Sequence, residues 1–268
     1  MLSRMKKHSG RRCAALVLSF LTVLLLFGSP ARTTSAQAGG IVVAAAISLH
    51  EAFNEIGRLY NDQTGATVTF SFASSGELET QIEAGAPVDV FASAGEKELD
   101  QLQAKHLIDE STRSDFARNA LVLVVPAGSK LVLHSFPELQ QLNVKRIAIG
   151  NPKTVPAGQY AEQLLRNLQL WSRVESRLVL AENVRQVLDY VGREEVEAGI
   201  IYATDVSIAR GKVTVVAAAP ERDYGPVLYG IAVMKDSASA QAARGFANLV
   251  RSPDGVRILT KYGFLAPK

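Results

Sequence analysis

The chain predicts an α/β fold in two units, with helices on both faces of each sheet. Three observations carry this. From Ile41 onward, short apolar runs alternate with amphipathic stretches of helical period. Most of the apolar runs are continuous rather than alternating, as in strands covered on both faces. The length of 268 residues suits one large domain or two ordinary ones.

Taken in order, "IVVAAAI" is the first strand, an unbroken apolar run. "SLHEAFNEIGRLY" follows as a helix, because Leu49, Phe53, Ile56 and Tyr60 fall on one face. "TVTFSF" is a strand rich in β-branched and aromatic residues. "SSGELETQIEAG" is a short helix with Leu78 and Ile82 inward, "VDVFAS" a strand, and "EKELDQLQAKHL" a charged helix. "ALVLVVP" and "RIAIG" are strands, and "PAGQYAEQLLRNL" is a helix with Tyr160, Leu164, Leu165 and Leu168 inward. "RLVLA" is a strand, "VRQVLDYV" a helix, and "AGIIYA", "VTVVAAA" and "VLYGIAVMK" are strands. Two helices, "SAQAARGFANLV" and "DGVRILTKYGF", close the chain. The chain is expected to cross between units at "FARNALVLVVP" and again at "PERDYGPVLYG". Residues 39–118 and 225–268 then form one domain and residues 119–224 the other. No repeat of 20 to 50 residues is visible.

The first 38 residues have a different character. Arg4, Lys6, Lys7, Arg11 and Arg12 precede "CAALVLSFLTVLLLFG", an apolar run of signal-peptide length, and "AQA" at Ala36–Ala38 fits a cleavage site. An uncleaved anchor is the competing reading, although the run is short for a spanning helix. Cleavage after Ala38 removes six of the 29 Lys and Arg and none of the 26 Asp and Glu, leaving 23 against 26, or −3. A mildly acidic exported chain argues against a nucleic-acid partner. The single cysteine, Cys13, lies in the removed segment, so the remainder holds neither a disulfide nor a thiolate metal site. No cluster of His, Cys and carboxylates has the spacing of metal ligands.

Ligands of open α/β sheets bind beyond the carboxyl ends of strands, where helices begin, so the junctions bear most directly on function. Ser48 with Glu51, and Ser74 with Glu77, have capping-box spacing, and Asn183 stands in the same relation to Gln186. Pro156 opens a helix, and Tyr202 ends a strand. Singly, Ser48 and Ser74 are best read as caps and Tyr202 as a core aromatic. Ser75 is harder to absorb, since one hydroxyl of the pair suffices for the cap. Gly76 lets a ligand come close to the backbone. Together, several helix starts, hydroxyls and a phenol offer unpaired N–H and O–H donors, which suit an anion. Basic residues are scarce at these junctions: Lys153 is read as a solvated loop charge and Arg185 as lying on an outer helical face. Neutral donors suit a fully deprotonated oxyanion and give a protonated phosphate few acceptors.

The stretches "VAAAISL", "FASSGELETQIEAGAPVDVFASA", "GNPKTVPAGQYA", "AENVRQVL", "GIIYATD" and "KYGF" resemble, in this order, a periplasmic molybdate-binding protein of the ModA type, the binding component of an ABC molybdate importer. The resemblance implies a two-domain type II periplasmic binding protein fold, with mixed sheets flanked by helices and the ligand in the interdomain cleft. It carries the oxyanion site onto Ser48, Ser75, Ala157, Val184 and Tyr202. Ser48 and Ser75 would donate hydroxyl and backbone N–H groups, Ala157 and Val184 backbone N–H groups at helix starts, and Tyr202 its phenol. Ser74 would cap the helix while Ser75 faces the anion. Ile47 and Gly76 depart from the family pattern, where Ala and a third serine are common. The resemblance also implies molybdate or tungstate as cargo rather than cofactor, a permease and an ATPase as partners, a monomer, and a periplasmic location after cleavage.

Two other functions compete. One keeps the binding role with sulfate or thiosulfate as ligand. The other is a serine hydrolase with Ser75 as nucleophile, which needs a base within hydrogen-bond reach. Beyond Ala38 only His50, His106 and His134 remain, all expected at the surface, and the G-x-S-x-G elbow is absent at Ser75. The chain is therefore expected not to be an enzyme.

Overall fold

The computed structural model describes residues 40–267, so the leader expected over residues 1–38 lies outside the described residues. β1 (Ile41–Ala46) enters a 3-10 turn at Ile47–Leu49 and then α1 (His50–Thr64). β2 (Val68–Ala73), α2 (Ser75–Glu83), β3 (Val90–Ser93) and α3 (Glu96–Ala104) come after it, then β4 (Ser114–Asn119) and β5 (Leu121–Pro126). β6 (Ile147–Gly150), α4 (Pro156–Asn167), a single-turn α5 (Trp171–Val174), β7 (Leu178–Ala181) and α6 (Val184–Gly192) come next. β8 (Ala198–Tyr202), a short α7 (Ala203–Ile208), β9 (Val213–Ala218) and β10 (Val227–Val233) lead to α8 (Ala240–Arg251) and α9 (Pro253–Lys261).

The strands form two five-stranded sheets, in the orders β2-β1-β3-β10-β4 and β7-β6-β8-β5-β9. Both are mixed. β1 pairs in parallel with β2 and β3, and β6 in parallel with β7 and β8. β10 runs antiparallel to β3 and β4, and β5 antiparallel to β8 and β9. Two strand placements define how the chain passes between the sheets. β4 overlaps the start of the stretch read as a crossing, so the chain leaves the first sheet only after Asn119 and enters the second at Leu121. It returns between Ala218 and Val227 to lay β10 between β3 and β4.

Most side chains read as inward from periodicity are buried, Tyr160 and Leu168 only partly. Leu49, Phe53, Ile56 and Tyr60 on the face of α1, and Leu78 and Ile82 on α2, are all buried. Phe53 packs edge-on against Phe246 of α8, with ring centroids 5.8 Å apart, and Tyr60 donates its hydroxyl to the Ala242 carbonyl at 2.7 Å. The C-terminal helices are thereby tied to α1 over the first sheet. Both sheets aim the carboxyl ends of their parallel strands, and so the starts of α2, α4 and α6, at a common seam, the arrangement that places ligands in open α/β folds.

Candidate anion-binding site

One small cavity, of about 10 Å³, lies at that seam. Its lining includes Ser48, Ser75, Ala157, Val184 and Tyr202, together with Ile47 and Ala94. The five expected residues are therefore brought to one place from five separate segments. Each is buried, with Ser48 the most accessible at 4%.

The first-sheet wall supplies hydroxyls. Ser75 opens α2, and its Oγ accepts a hydrogen bond from the Ala94 N–H at 3.0 Å, which leaves the serine proton to point elsewhere. Ser48 lies in the 3-10 turn after β1, and its Oγ is 2.9 Å from Tyr229 Oη. The capping box expected at Ser48 and Glu51 does not form. The N-cap of α1 is Leu49, because the 3-10 turn takes up Ser48, and Glu51 turns instead to Arg185. Ser74 does occupy the N-cap position of α2, but its side chain makes no capping bond.

The second-sheet wall supplies amides. Val184 is the first residue of α6, behind Asn183, whose side chain accepts the Gln186 N–H as the expected cap. Ala157 follows Pro156 at the start of α4. Neither amide has an acceptor within its own helix, since both precede the first intrahelical bond. Gly158 makes this geometry accessible: a Cβ there would stand 2.0 Å from the Gly150 carbonyl oxygen, so only glycine lets α4 start so close to the end of β6. The partial positive charge of the α2, α4 and α6 starts is concentrated on the cavity.

Tyr202 ends β8, and its phenol donates to the Ala94 carbonyl at 3.3 Å. Burial, reinforced by Tyr229, pushes this phenol well above its ordinary pKa, so it keeps its proton. The Ala94 peptide therefore ties both walls, giving its N–H to Ser75 and its C=O to Tyr202. Ala94 has no side-chain chemistry, so nothing in the sequence marks it.

Two residues correct the sequence reading. Gly76 does not line the cavity; its N–H donates to the Thr154 carbonyl at 2.9 Å, across the seam. Its lack of a side chain serves that backbone contact rather than ligand approach. Arg185 is not on an outer face. It makes a two-pronged contact with Glu51, at 2.7 and 3.1 Å, and its Nε lies 2.8 Å from Asp205 Oδ1 as an ion pair without an aligned hydrogen bond. Burial works against the Arg185 charge, but Asp205 and Glu51 outweigh it and hold the guanidinium above its usual range. Burial pushes the Asp205 carboxyl up to about 6, the Arg185 charge offsetting only part of that. Arg185, which also donates to the Ser48 carbonyl at 3.4 Å, is thus matched by two carboxylates, and no Lys or Arg lines the cavity itself. Lys153 is exposed, as expected. His50, His106 and His134 are exposed too, and the partners found for the Ser48 and Ser75 hydroxyls are Tyr229 and Ala94. Among the described residues no group of three or more His, Cys, Asp or Glu is placed to hold a metal ion.

Comparison with known proteins gives the family and the fold. Residues 41–265 match the family described as bacterial extracellular solute-binding protein. The molybdate-binding protein ModA of Escherichia coli (strain K12) is 38% identical over 233 residues, covering 85% of this chain and 90% of its own. ModA of Haemophilus influenzae is 35% identical over 235 residues, covering 86% of this chain and 92% of its own. Among solved structures, the periplasmic molybdate-binding protein of Azotobacter vinelandii superposes with a TM-score of 0.77 at 26% identity, over 85% of this chain and 100% of its own. The sulfate-binding protein SubI of Mycobacterium tuberculosis H37Rv shares the fold, with a TM-score of 0.74 at 15% identity, over 84% of this chain and 86% of its own.

Proposed function

The chain belongs to the bacterial extracellular solute-binding protein family, and on that footing we propose that it captures molybdate outside the cytoplasmic membrane and delivers it to an ABC importer. The observation that carries this is the convergence of Ser48, Ser75, Ala157, Val184 and Tyr202 on one small cavity with neutral donors. Hydroxyl and amide protons match an anion that carries only acceptor oxygens, and the helix starts stabilise its charge without a counter-cation. The oxyanion is cargo held by hydrogen bonds through its oxygens, so tungstate should be accepted as molybdate is. No bond of the cargo is broken in this scheme, and no side chain has a catalytic part.

The units built on the two sheets, with the crossing after Asn119 rather than after residue 118, act as two domains that close on the anion, and the protein works as a monomer. The leader is removed after Ala38 on export, and the permease and ATPase of the importer receive the loaded form. At about 10 Å³ the cavity admits roughly one water. Seating a tetrahedral oxyanion therefore requires the walls to part slightly, and the long Tyr202–Ala94 hydrogen bond is the contact best placed to yield.

Isothermal titration of the exported chain with molybdate, tungstate, sulfate and phosphate tests the assignment. Molybdate and tungstate should bind with similar affinity and hydrogen phosphate far more weakly. Sulfate binding tighter than molybdate would replace the cargo while keeping the site. Because the Tyr202 and Tyr229 phenols are both pushed upward by burial, no donor titrates near neutrality. Affinity should therefore stay level from about pH 7 to about pH 9. A steep change across that interval would contradict a site of neutral donors.

A further inference from the structure

We propose that Tyr229, which does not line the cavity, fixes Ser48 as a hydrogen-bond donor and so sets the preference for oxyanions that carry no proton. This rests on the proposed role of the cavity in binding an oxyanion. The relay starts at the crossing between the sheets. The Ala120 N–H donates to Asn119 Oδ1 at 2.9 Å, which settles which end of that amide is oxygen. The Asn119 nitrogen then donates to Thr204 Oγ1 at 2.9 Å and to Tyr229 Oη at 3.2 Å. Having accepted that bond, Tyr229 Oη has one proton of its own to place. Ser48 Oγ, 2.9 Å away, is the hydrogen-bond partner found on its other side. Were Ser48 the donor instead, the Tyr229 proton would be left unpaired at a residue with no exposed surface, which buried hydroxyls rarely tolerate.

Ser48 Oγ therefore accepts from Tyr229, and its own proton is turned toward the cavity. The tyrosine cannot easily swing away. Its ring packs edge-on against Phe264, with centroids 5.2 Å apart, and against Phe116 at 6.2 Å. The β10–β4 register shifts between Tyr229 and Gly230, where Phe116 is the residue of β4 left without a partner, so the residue facing this break is the one that packs on the Tyr229 ring. Burial pushes the phenol far above its ordinary pKa, so it remains a donor throughout the neutral range. A fully deprotonated oxyanion accepts the Ser48 proton. A hydrogen phosphate must also place its own proton, and Ser48 turns a proton rather than a lone pair toward the cavity.

The test is a cycle of Tyr229→Phe, Ser48→Ala and the double variant, titrated with molybdate and with phosphate at neutral pH. Tyr229→Phe keeps the ring but frees the serine to rotate. It should weaken molybdate about tenfold, as expected for a disturbed hydrogen bond to a charged ligand, and narrow the molybdate-to-phosphate preference. In the Ser48→Ala background the same change should alter neither quantity by more than about twofold. An equal effect in both backgrounds, or no effect in the unmodified one, would overturn the relay. The hydrogen bond also has a readout that needs neither cargo nor variant: the Tyr229 hydroxyl proton should be protected from exchange in NMR spectra of the unmodified chain. Rapid exchange of that proton would overturn the relay even if the variants failed to fold. Failure of the unmodified chain to bind molybdate, with the proton protected, would instead count against the proposed cargo alone.

Discussion

The two walls of the cavity offer the same kind of proton by different means. The first-sheet wall presents hydroxyls at Ser48 and Ser75, whose directions are set by Tyr229 and Ala94. The second-sheet wall presents the amides of Ala157 and Val184, whose directions are set by the helix starts that contain them. A hydroxyl can be deleted by one substitution or redirected by a neighbour. An amide survives almost any change of its side chain. Residue identity therefore governs one half of the site and backbone path the other, and the two halves should answer mutation differently.

The largest loss should come from disturbing the seam where the walls meet. In Gly76→Ala the new Cβ would stand 2.7 Å from the Thr154 carbonyl oxygen and 2.9 Å from the Thr154 Cα, both backbone atoms. Neither can yield without displacing the approach to α4. Overpacking of this kind costs up to about 3 kcal/mol, so molybdate affinity should fall on the order of a hundredfold by titration calorimetry. Wild-type affinity in this variant would show that the walls need not meet there. An intermediate effect is expected for Tyr202→Phe. The phenol must give up its 3.3 Å bond to the Ala94 carbonyl before serving an anion, so the loss should be about tenfold, at the low end for a charged hydrogen bond. The loss should be the same for tungstate, because the phenol contacts an oxygen in either case; an unequal loss would mean that it senses more than the oxygens. The smallest effect on binding belongs to the amide wall. Val184→Ala keeps the amide, so affinity should change less than about threefold. Truncating this buried side chain should still cost about 2 kcal/mol of stability. Thermal denaturation should register that cost, and a large loss of affinity would mean that the Val184 side chain contributes to binding.

Much of this architecture is legible locally. The alternation of apolar runs and helical faces locates most of the strands and longer helices, because each is stabilised by burial of its own pattern. β4 is not legible: "SDFARN" is polar, and it becomes a strand because β10 returns to pair with it from more than 100 residues away. Long range also explains the failed capping box. The Ser48–Glu51 spacing is right, but Glu51 is drawn to Arg185, 134 residues on, and no local pattern records that pull. The same distant pairing hides the true position of Arg185 from the sequence. Asn183 caps as its spacing predicts because the contact is only three residues long. The five expected site residues reach one cavity, yet Ala94 and Tyr229, which orient their protons, carry no mark in the sequence. One contributes only backbone, and the other is an aromatic in an apolar strand that reads as core.

The return of the chain into the first sheet also dictates an order of folding. Every strand of the second sheet lies within Leu121–Ala218, an unbroken stretch that can assemble as soon as it has emerged. The first sheet cannot finish in that way. β10 lies between β3 and β4, so β4 has no neighbour in the sheet until Val227–Ile231 are present. The N-terminal strands are made first and completed last. That delay keeps the sheet behind the wall bearing Ser48 and Ser75 unfinished until the last of its strands has been made.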